Sequence, residues 1–255
     1  MSDHSVYLYA IGDTTLADSD VVAEIRGVDD VPVRIIVEGA LAAVVATVDR
    51  DSYSEEALRA RLEDLAWLEK LARAHHEVVD RIARNHPVAP VRMATVYLGD
   101  ERVRAFLSDH RADLVATLDR VRSRSEWGVK GYATPATDAS EEELDSSSDA
   151  PGTAYLLRRR SQRDRTARRH RDLLEAAEDA HGQLAAVAVD SRRYPLQDAR
   201  LSGRPEPMIL NAAYLVDNAQ AVQFEERVRA LSRVDLRLEL TGPWAPYSFA
   251  ASVDS

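Results

Sequence analysis

The second half of the chain alternates strand-type and helix-type segments in an order that few folds accommodate. Short runs of apolar and β-branched residues are separated by two stretches with helical spacing. The segments are strand 127–132, helix 152–184, strand 185–189, strand 208–216, helix 217–231 and strand 236–240. This β-α-β-β-α-β order is typical of four antiparallel strands backed by two helices. The sequence therefore predicts a ferredoxin-like domain.

The first half also mixes strands and helices, and its order matches no common fold. The segments are strands 6–11, 33–37 and 41–48, helix 54–83, strand 88–97 and helix 99–121, with the second and third strands forming a hairpin. We expect an α+β protein of two domains. An N-terminal mixed α+β domain covers residues 1–125, and a C-terminal ferredoxin-like domain covers 126–255 and includes an extended C-terminal tail. The polar stretch 134–151 holds six acidic residues and no basic one, so we expect a flexible acidic loop there.

The tail combines prolines with aromatic residues. Pro243 and Pro246 exclude both a helix and a central strand, so Trp244, Tyr247 and Phe249 must lie on an extended, irregular segment. Large aromatic side chains on such a segment need a surface to pack against. Two alternatives stay open: the tail folds back over the sheet of the second domain, or its three aromatic residues bind a partner.

Composition excludes several classes of protein. The chain has 255 residues, 45% of them apolar, and a net charge of −10, which argues against general nucleic-acid binding. It contains no cysteine, so disulfides and thiolate metal sites are excluded. The first residues lack a basic signal-peptide region, and the longest apolar run, 40–48, is too short to span a bilayer. We expect a soluble cytoplasmic protein that does not enter a membrane.

One helix carries a pattern close to a metalloprotease motif. His76 and Glu77 are followed by Asp80 where a second metal-binding histidine would stand. His76 is expected on the apolar face of its helix, and His75 is expected to face solvent. No strained nucleophile turn and no phosphate-binding glycine loop occurs in the sequence. We therefore predict no catalytic, cofactor-binding or metal-binding residues and no enzymatic activity.

A second helix is strongly basic. Residues 158–171 contain eight arginines and one aspartate, which permits nucleic-acid or membrane binding. The helix also has an apolar seam predicted to pack on a sheet, formed by Leu156, Ala167, Leu174, Ala177 and Leu184. We favour a basic face that is solvated or paired within the molecule. The acidic stretch 138–149 is a potential internal partner, or it shields the arginines from an acidic partner. Arg158 and Arg159 are the candidate partner-binding residues here.

Seven segments, taken in order, resemble the gas vesicle protein GvpF/GvpL family. They are Tyr7–Ile11, Leu68–His75, Pro87–Tyr97, Trp127–Lys130, Tyr155–Arg160, Leu210–Val216 and Gly242–Phe249. No single motif among them is diagnostic, but the ordered set is specific and spans the chain from Tyr7 to Phe249.

The resemblance implies an accessory protein of gas vesicle formation, located in the cytoplasm and at the gas vesicle. Its implied partner is the small, apolar major shell protein of the GvpA type, whose aggregation it would limit during assembly. Other gas vesicle accessory proteins are further implied partners, and no cofactor is implied. The alternative is a minor structural component of the vesicle wall. A metal-dependent hydrolase built on His76 and Glu77 is a distant third hypothesis.

Overall fold

The computed structural model describes residues 4–18, 20–61, 63–134, 152–198 and 204–250, with the backbone alone for residues 20 and 152–158. It is a mixed α+β structure with two antiparallel sheets, as the sequence predicts. Two compact units divide it: one contains the residues up to Glu126 and those from Pro243 onward, and the other contains Trp127–Gly242. The second domain was expected to extend through the tail, but residues 243–250 lie in the first unit. The predicted acidic loop falls almost entirely outside the described residues.

The first unit is built on a sheet whose middle strand is almost completely buried. Its strands are β1 (His4–Asp13), β2 (Val33–Glu38), β3 (Leu41–Asp49), β4 (Val88–Pro90) and β5 (Val96–Tyr97). Their order is β2-β3-β1-β4, and β5 also pairs with β1. The β2-β3 hairpin closes through two residues, of which Gly39 has φ +59°. Positive φ favours glycine, so the Glu38-Gly39-Ala40 sequence marked this turn correctly.

Helices cover both faces of this sheet. They are α1 (Glu55–Arg61), α2 (Leu65–Ala83), α3 (Asp100–Asp109) and α4 (Arg111–Val121). Tyr7 and Tyr9 of β1 pack in one core cluster with α2, and Val6 and Leu8 pack in another with α3 and α4. Alternate residues of a strand face opposite sides, so a strand covered on both sides is apolar throughout.

Three elements predicted as continuous are interrupted. The helix predicted over 54–83 becomes α1 and α2, because the Asp64 side chain accepts hydrogen bonds from the backbone N–H groups of Ala66 and Trp67 and caps a new helix. The strand predicted over 88–97 is reduced to β4 and β5, since Ala94 between them has φ +65°. The helix predicted over 99–121 divides into α3 and α4 at His110.

The described residues of the second unit form one sheet, one long α-helix and one shorter α-helix. Its elements are β6 (Arg124–Ala133, within this unit from Trp127), α5 (Gly152–Ala185), β7 (Asp190–Arg193), β8 (Met208–Asp217), α6 (Ala221–Leu231) and β9 (Leu236–Trp244). The sheet order is β7-β8-β6-β9. Pro243 lies in β9, which is an edge strand of this sheet, and proline within a sheet is normally confined to edge strands.

Two sequence predictions for this unit are wrong in detail. The strand expected at 185–189 begins only at Asp190, because α5 continues to Ala185. The buried face of α5 is formed by Leu173, Ala176, Ala177, Ala180 and Leu184. Ala167 and Leu174, both expected in the seam, are exposed, and the Leu156 side chain lies outside the described ones. In the second half of the helix, Ala177 and Leu184 lie on the buried face as predicted, but Leu173 is buried in place of Leu174. None of the helices in the described segments is long and apolar enough to cross a bilayer.

Candidate functional site

The tail, residues 243–250, packs on the first unit. Ala245 and Phe249 are buried, and Ala245 belongs to the core cluster that contains α2. The Arg120 guanidinium of α4 donates to the backbone carbonyl of Phe249. The Glu126 carboxylate accepts a hydrogen bond of 2.7 Å from the backbone N–H of Ser248. These charged anchors hold the tail at one end while its apolar residues complete the core.

Tyr247 occupies the centre of the tail contact. Its ring centroid lies 6.2 Å from each of the His75 and His76 rings of α2, and it is stacked on His76 at an interplanar angle of 29°. Burial raises the pKa of the Tyr247 hydroxyl above its ordinary value. That hydroxyl has no hydrogen-bond partner within the described part of the chain. Tyr247 is therefore a packing residue of the first unit.

Trp244 is the tail aromatic that remains open to solvent. Its side chain is 43% exposed, and its ring lies 5.5 Å from His76 in an edge-on arrangement. Tyr247 is half-buried and Phe249 is buried, so of the three aromatic residues proposed from the sequence only Trp244 presents a large accessible surface. The alternative in which the tail covers the second domain's sheet is wrong, because the tail belongs to the first unit.

His75 lies inside the first unit, and the expectation that it faces solvent is wrong. Its Nδ1 atom lies 3.0 Å from the Tyr7 hydroxyl. That hydroxyl also accepts a 3.0 Å hydrogen bond from the backbone N–H of Ala94. Burial lowers the pKa of His75 to about 4, although the nearby Val91 backbone favours protonation. His75 is therefore a neutral, buried histidine.

The structure separates the residues of the metalloprotease-like motif. His76 contacts the tail, whereas Glu77 lines a cleft of about 430 Å³ between α2 and residues 24–30. Among the described residues, no three histidine, aspartate or glutamate side chains lie close enough together to hold a metal ion. The buried face of α2 is not the predicted one. It starts at Leu71 and includes His75, whereas Leu65, which was predicted on the buried face, is 78% exposed.

The cleft beside Glu77 has mixed charge. Carboxylates from Glu24, Asp29 and Asp30 line it together with basic side chains from α2. Asp29 and Asp30 have positive φ values of 52° and 61°, and the Asp29 carboxylate accepts a 2.8 Å hydrogen bond from the Tyr53 hydroxyl. Aspartate tolerates this backbone conformation. The cleft walls contain no cysteine, serine or histidine, so they provide none of the usual pairs of nucleophile and base.

The basic part of α5 forms the second candidate surface. We call residues 159–172 the arginine arm. Every side chain in it is exposed except that of Arg169, which is half-buried and donates a 2.8 Å hydrogen bond to the Thr134 carbonyl. Arg159 lies in the arm and is exposed, as a solvated face requires, whereas the side chain of Arg158 lies outside the described ones. No arginine of the arm forms an ion pair with another described residue.

Comparison with known proteins places this architecture in a family. The family model "Gas vesicle synthesis protein GvpL/GvpF" matches residues 5–251. The chain is 41% identical over 256 residues to gas vesicle protein L of Streptomyces sp. (strain CB03234), covering 98% of this chain and 94% of that protein. It is 23% identical to gas vesicle protein F of the same strain, covering 96% of this chain and 99% of that protein. The crystal structure of GvpF from Anabaena sp. PCC7120 matches with a TM-score of 0.67 at 18% identity, over 97% of this chain and 96% of that one.

Proposed function

The chain belongs to the GvpL/GvpF family of gas vesicle synthesis proteins, and we propose that it binds the small apolar shell protein and limits its aggregation during vesicle assembly. Its role is tied to the gas vesicle through that membership. The shell protein as a partner, and the gas vesicle and cytoplasm as locations, are part of the proposal. Further accessory proteins of the vesicle are proposed as additional partners.

The chemistry of a gas-filled wall explains why such a factor is needed. A subunit that will face gas on one side must present an apolar surface, and often unpaired strand edges, before it assembles. Covering about 600 Å² of apolar surface contributes roughly 15 kcal/mol at about 25 cal/mol per Å². Association costs about 4–15 kcal/mol. The difference lies between about zero and about 11 kcal/mol, which permits a reversible complex, as a carrier that must release its cargo requires.

Trp244 is the observation that carries the proposal. It presents a large aromatic side chain that is 43% exposed, next to residues that are buried or held by charged anchors. An aromatic side chain on a rigid segment loses little conformational entropy when it binds. Tryptophan is also among the residues most often found at binding hot spots. We propose Trp244 as the contact residue, with Tyr247 and Phe249 acting to position it.

Co-expression with the shell protein tests this proposal. Removing a hot-spot side chain costs about 2 kcal/mol or more, which corresponds to roughly a 30-fold weaker complex. Trp244→Ala should therefore leave much less shell protein in the soluble fraction than the unchanged chain does. Leu98→Ala is the matched control, since Leu98 is a 62% exposed apolar residue of the same unit. Equal soluble yields with both variants and with the unchanged chain would remove Trp244 from the mechanism.

A second experiment separates a carrier from a wall component. Purified vesicles washed with urea should lose a reversible assembly factor. Retention of the chain after the wash would instead support a minor structural component of the wall, which is the competing proposal. A chain that solubilises the shell protein and is washed away satisfies the assembly-factor proposal on both counts.

Two finer assignments are also proposed. The β-α-β-β-α-β succession of the second unit and its β7-β8-β6-β9 strand order support a ferredoxin-like domain. The identity of 41% to gas vesicle protein L, against 23% to gas vesicle protein F of the same strain, supports membership on the L side of the family.

A further inference from the structure

The arginine arm is a concentration of positive charge in an acidic protein. Its seven arginines and two aspartates give it a net charge of +5, whereas the whole chain has a net charge of −10. The remaining residues therefore have a net charge of −15. Arginine outnumbers lysine 31 to 2 in this chain, so the choice of arginine over lysine carries no weight. The clustering of the charge within fourteen residues is the feature that needs an explanation.

The arm differs from the other helices in how its charges are arranged. Four exposed arginines elsewhere pair with a carboxylate one turn away on the same helix: Arg59 with Glu55, Arg73 with Glu69, Arg84 with Asp80 and Arg229 with Glu225. Within the arm, Asp164 stands one turn from Arg160 and from Arg168, but the other arginines stand one turn from arginines, as at 159 and 163 and at 165 and 169. Like charges at this spacing destabilise a helix. Such an arrangement is expected where the missing negative charge is supplied by a partner.

The exposure of the arm also indicates that it binds a partner. The buried face of α5 begins at Leu173, so no described side chain of the arm contributes to a core. One side of the arm forms a shallow groove of about 440 Å³, lined by Arg159, Gln162, Arg163, Thr166, Ala167 and His170. Two guanidinium groups border this groove, and each can hold a carboxylate with two parallel hydrogen bonds.

We infer that the arginine arm docks an acidic segment of a partner protein. The arm contains no Phe, Tyr or Trp on which the bases of a nucleic acid could stack. It also lacks the large apolar residues with which an amphipathic helix enters a membrane surface. A short acidic segment needs neither feature. This surface is separate from Trp244, so the inference goes beyond binding of the apolar shell protein.

Direct binding to the full chain tests the inference. The probe is a fluorescently labelled poly-glutamate peptide of about fourteen residues, matched to the length of the arm, and its anisotropy reports binding. We expect binding that weakens as salt rises from about 0.05 to about 0.5 M. Arg159→Glu with Arg163→Glu should weaken binding by about tenfold or more, because two contacts become repulsive.

A control variant distinguishes the arm from overall charge. Arg102 in α3 and Arg227 in α6 are exposed, and their combined replacement by glutamate changes the net charge by the same amount. This variant should stay within about twofold of the unchanged chain. Circular dichroism should show that both variants remain folded. Equal losses in the two variants would overturn the inference in favour of general charge attraction.

Competing occupants give different results. Duplex DNA, or vesicles containing phosphatidylserine, that bind more tightly than the peptide and show the same loss with the arm variant would overturn the inference. Peptide binding that occurs only after the acidic residues of 138–149 are neutralised would identify the chain's own segment as the occupant, which also overturns it. Shell-protein solubility in Trp244→Ala is measured separately, so failure of one proposal leaves the other testable.

Discussion

The neutral, buried His75 makes the first unit sensitive to acid well above the range in which carboxylates titrate. In the folded chain its pKa is about 4, against an ordinary value of 6.5. Between these values the unfolded chain binds a proton at this residue and the folded chain does not. The free energy of unfolding therefore falls as the pH is lowered. Above pH 6.5 both states are neutral at His75 and the effect disappears.

The size of the effect follows from the pKa difference. Each pH unit between the two values costs about 1.4 kcal/mol, so His75 lowers the free energy of unfolding by about 2 kcal/mol at pH 5. At pH 4 the loss approaches about 3 kcal/mol. The Tyr7 hydroxyl lies 3.0 Å from Nδ1 of His75, so protonation of the buried ring also changes this contact. The free energy of unfolding that is lowered in this way is that of the first unit, which also contains the tail.

Urea unfolding at a series of pH values measures this loss. Trp127 is the one tryptophan of the second unit, so in a Trp127→Phe background the remaining tryptophans, Trp67 and Trp244, report on the first unit. His75→Gln retains an acceptor for Tyr7 but does not titrate. Its free energy of unfolding should therefore change less between pH 7.5 and pH 5, by about 2 kcal/mol, than that of the chain with His75.

His170→Gln is the matched control for this experiment. His170 is an exposed histidine of the arginine arm, so its removal should leave the pH dependence of the first unit unchanged. If the chains with histidine and glutamine at position 75 lose the same stability on acidification, the neutral buried state of His75 is refuted. A pH-dependent difference of the opposite sign would refute it as well.

Three further perturbations test the packing around the same unit. Phe249→Ala removes a buried tail anchor and should lower the free energy of unfolding by about 3 kcal/mol, and an unchanged urea midpoint would contradict the packed tail. Gly27→Ala should cost about 1–3 kcal/mol, because a Cβ there would overlap the hydroxyl of the fully buried Tyr9; a neutral result would show that the site can relax. Asp100→Asn removes an ion pair in which two Arg34 nitrogens lie 3.0 and 2.6 Å from the carboxylate. About 1 kcal/mol should be lost in urea unfolding at pH 7. The loss should shrink as the solution is acidified, because Arg34 holds the pKa of Asp100 below its ordinary value and the contribution disappears as that carboxylate protonates.

The strands of this fold were accessible from the sequence because their apolar runs are local signals. β1, β2, β3, β6, β8 and β9 all lie within a few residues of the predicted segments. Breaks within predicted elements were harder to locate, since they depend on single events such as the Asp64 cap and the positive φ of Ala94. Periodicity identifies a helical stretch but is a weak guide to where a helix is divided.

Helix faces were less predictable than helices. In α2 the buried face lies one residue away from the predicted face, which exchanged the environments of His75 and His76. Small or apolar residues such as Ala72 are compatible with either helix face, so the sequence of the helix alone does not define the buried one. The buried face is defined by contacts with another element, such as those of Tyr7 and Tyr9 with the His75 ring. A shift of one residue rotates a helix by about 100°, so a small error in phase reverses which of two adjacent side chains is buried.

The position of the tail was not accessible from local sequence at all. Its prolines and aromatics predicted an irregular segment that needs a surface. The structure contains such a segment from Ala245 onward, whereas Pro243 and Trp244 lie in β9. The surface itself is defined by contacts across more than a hundred residues, such as those of Arg120 with Phe249 and Glu126 with Ser248. No spacing within the tail encodes such contacts. The exposure of Trp244 beside buried neighbours became visible only after that docking was known.

Photo-crosslinking at position 244 shows whether Trp244 contacts the shell protein. A photoreactive amino acid replaces Trp244 in one chain and the exposed Leu98 in another, and each chain is expressed in cells that are forming gas vesicles. We expect a crosslink to the shell protein from position 244 and little or none from position 98. Crosslinks of equal yield from both positions, or none to the shell protein from position 244, would contradict the proposed contact.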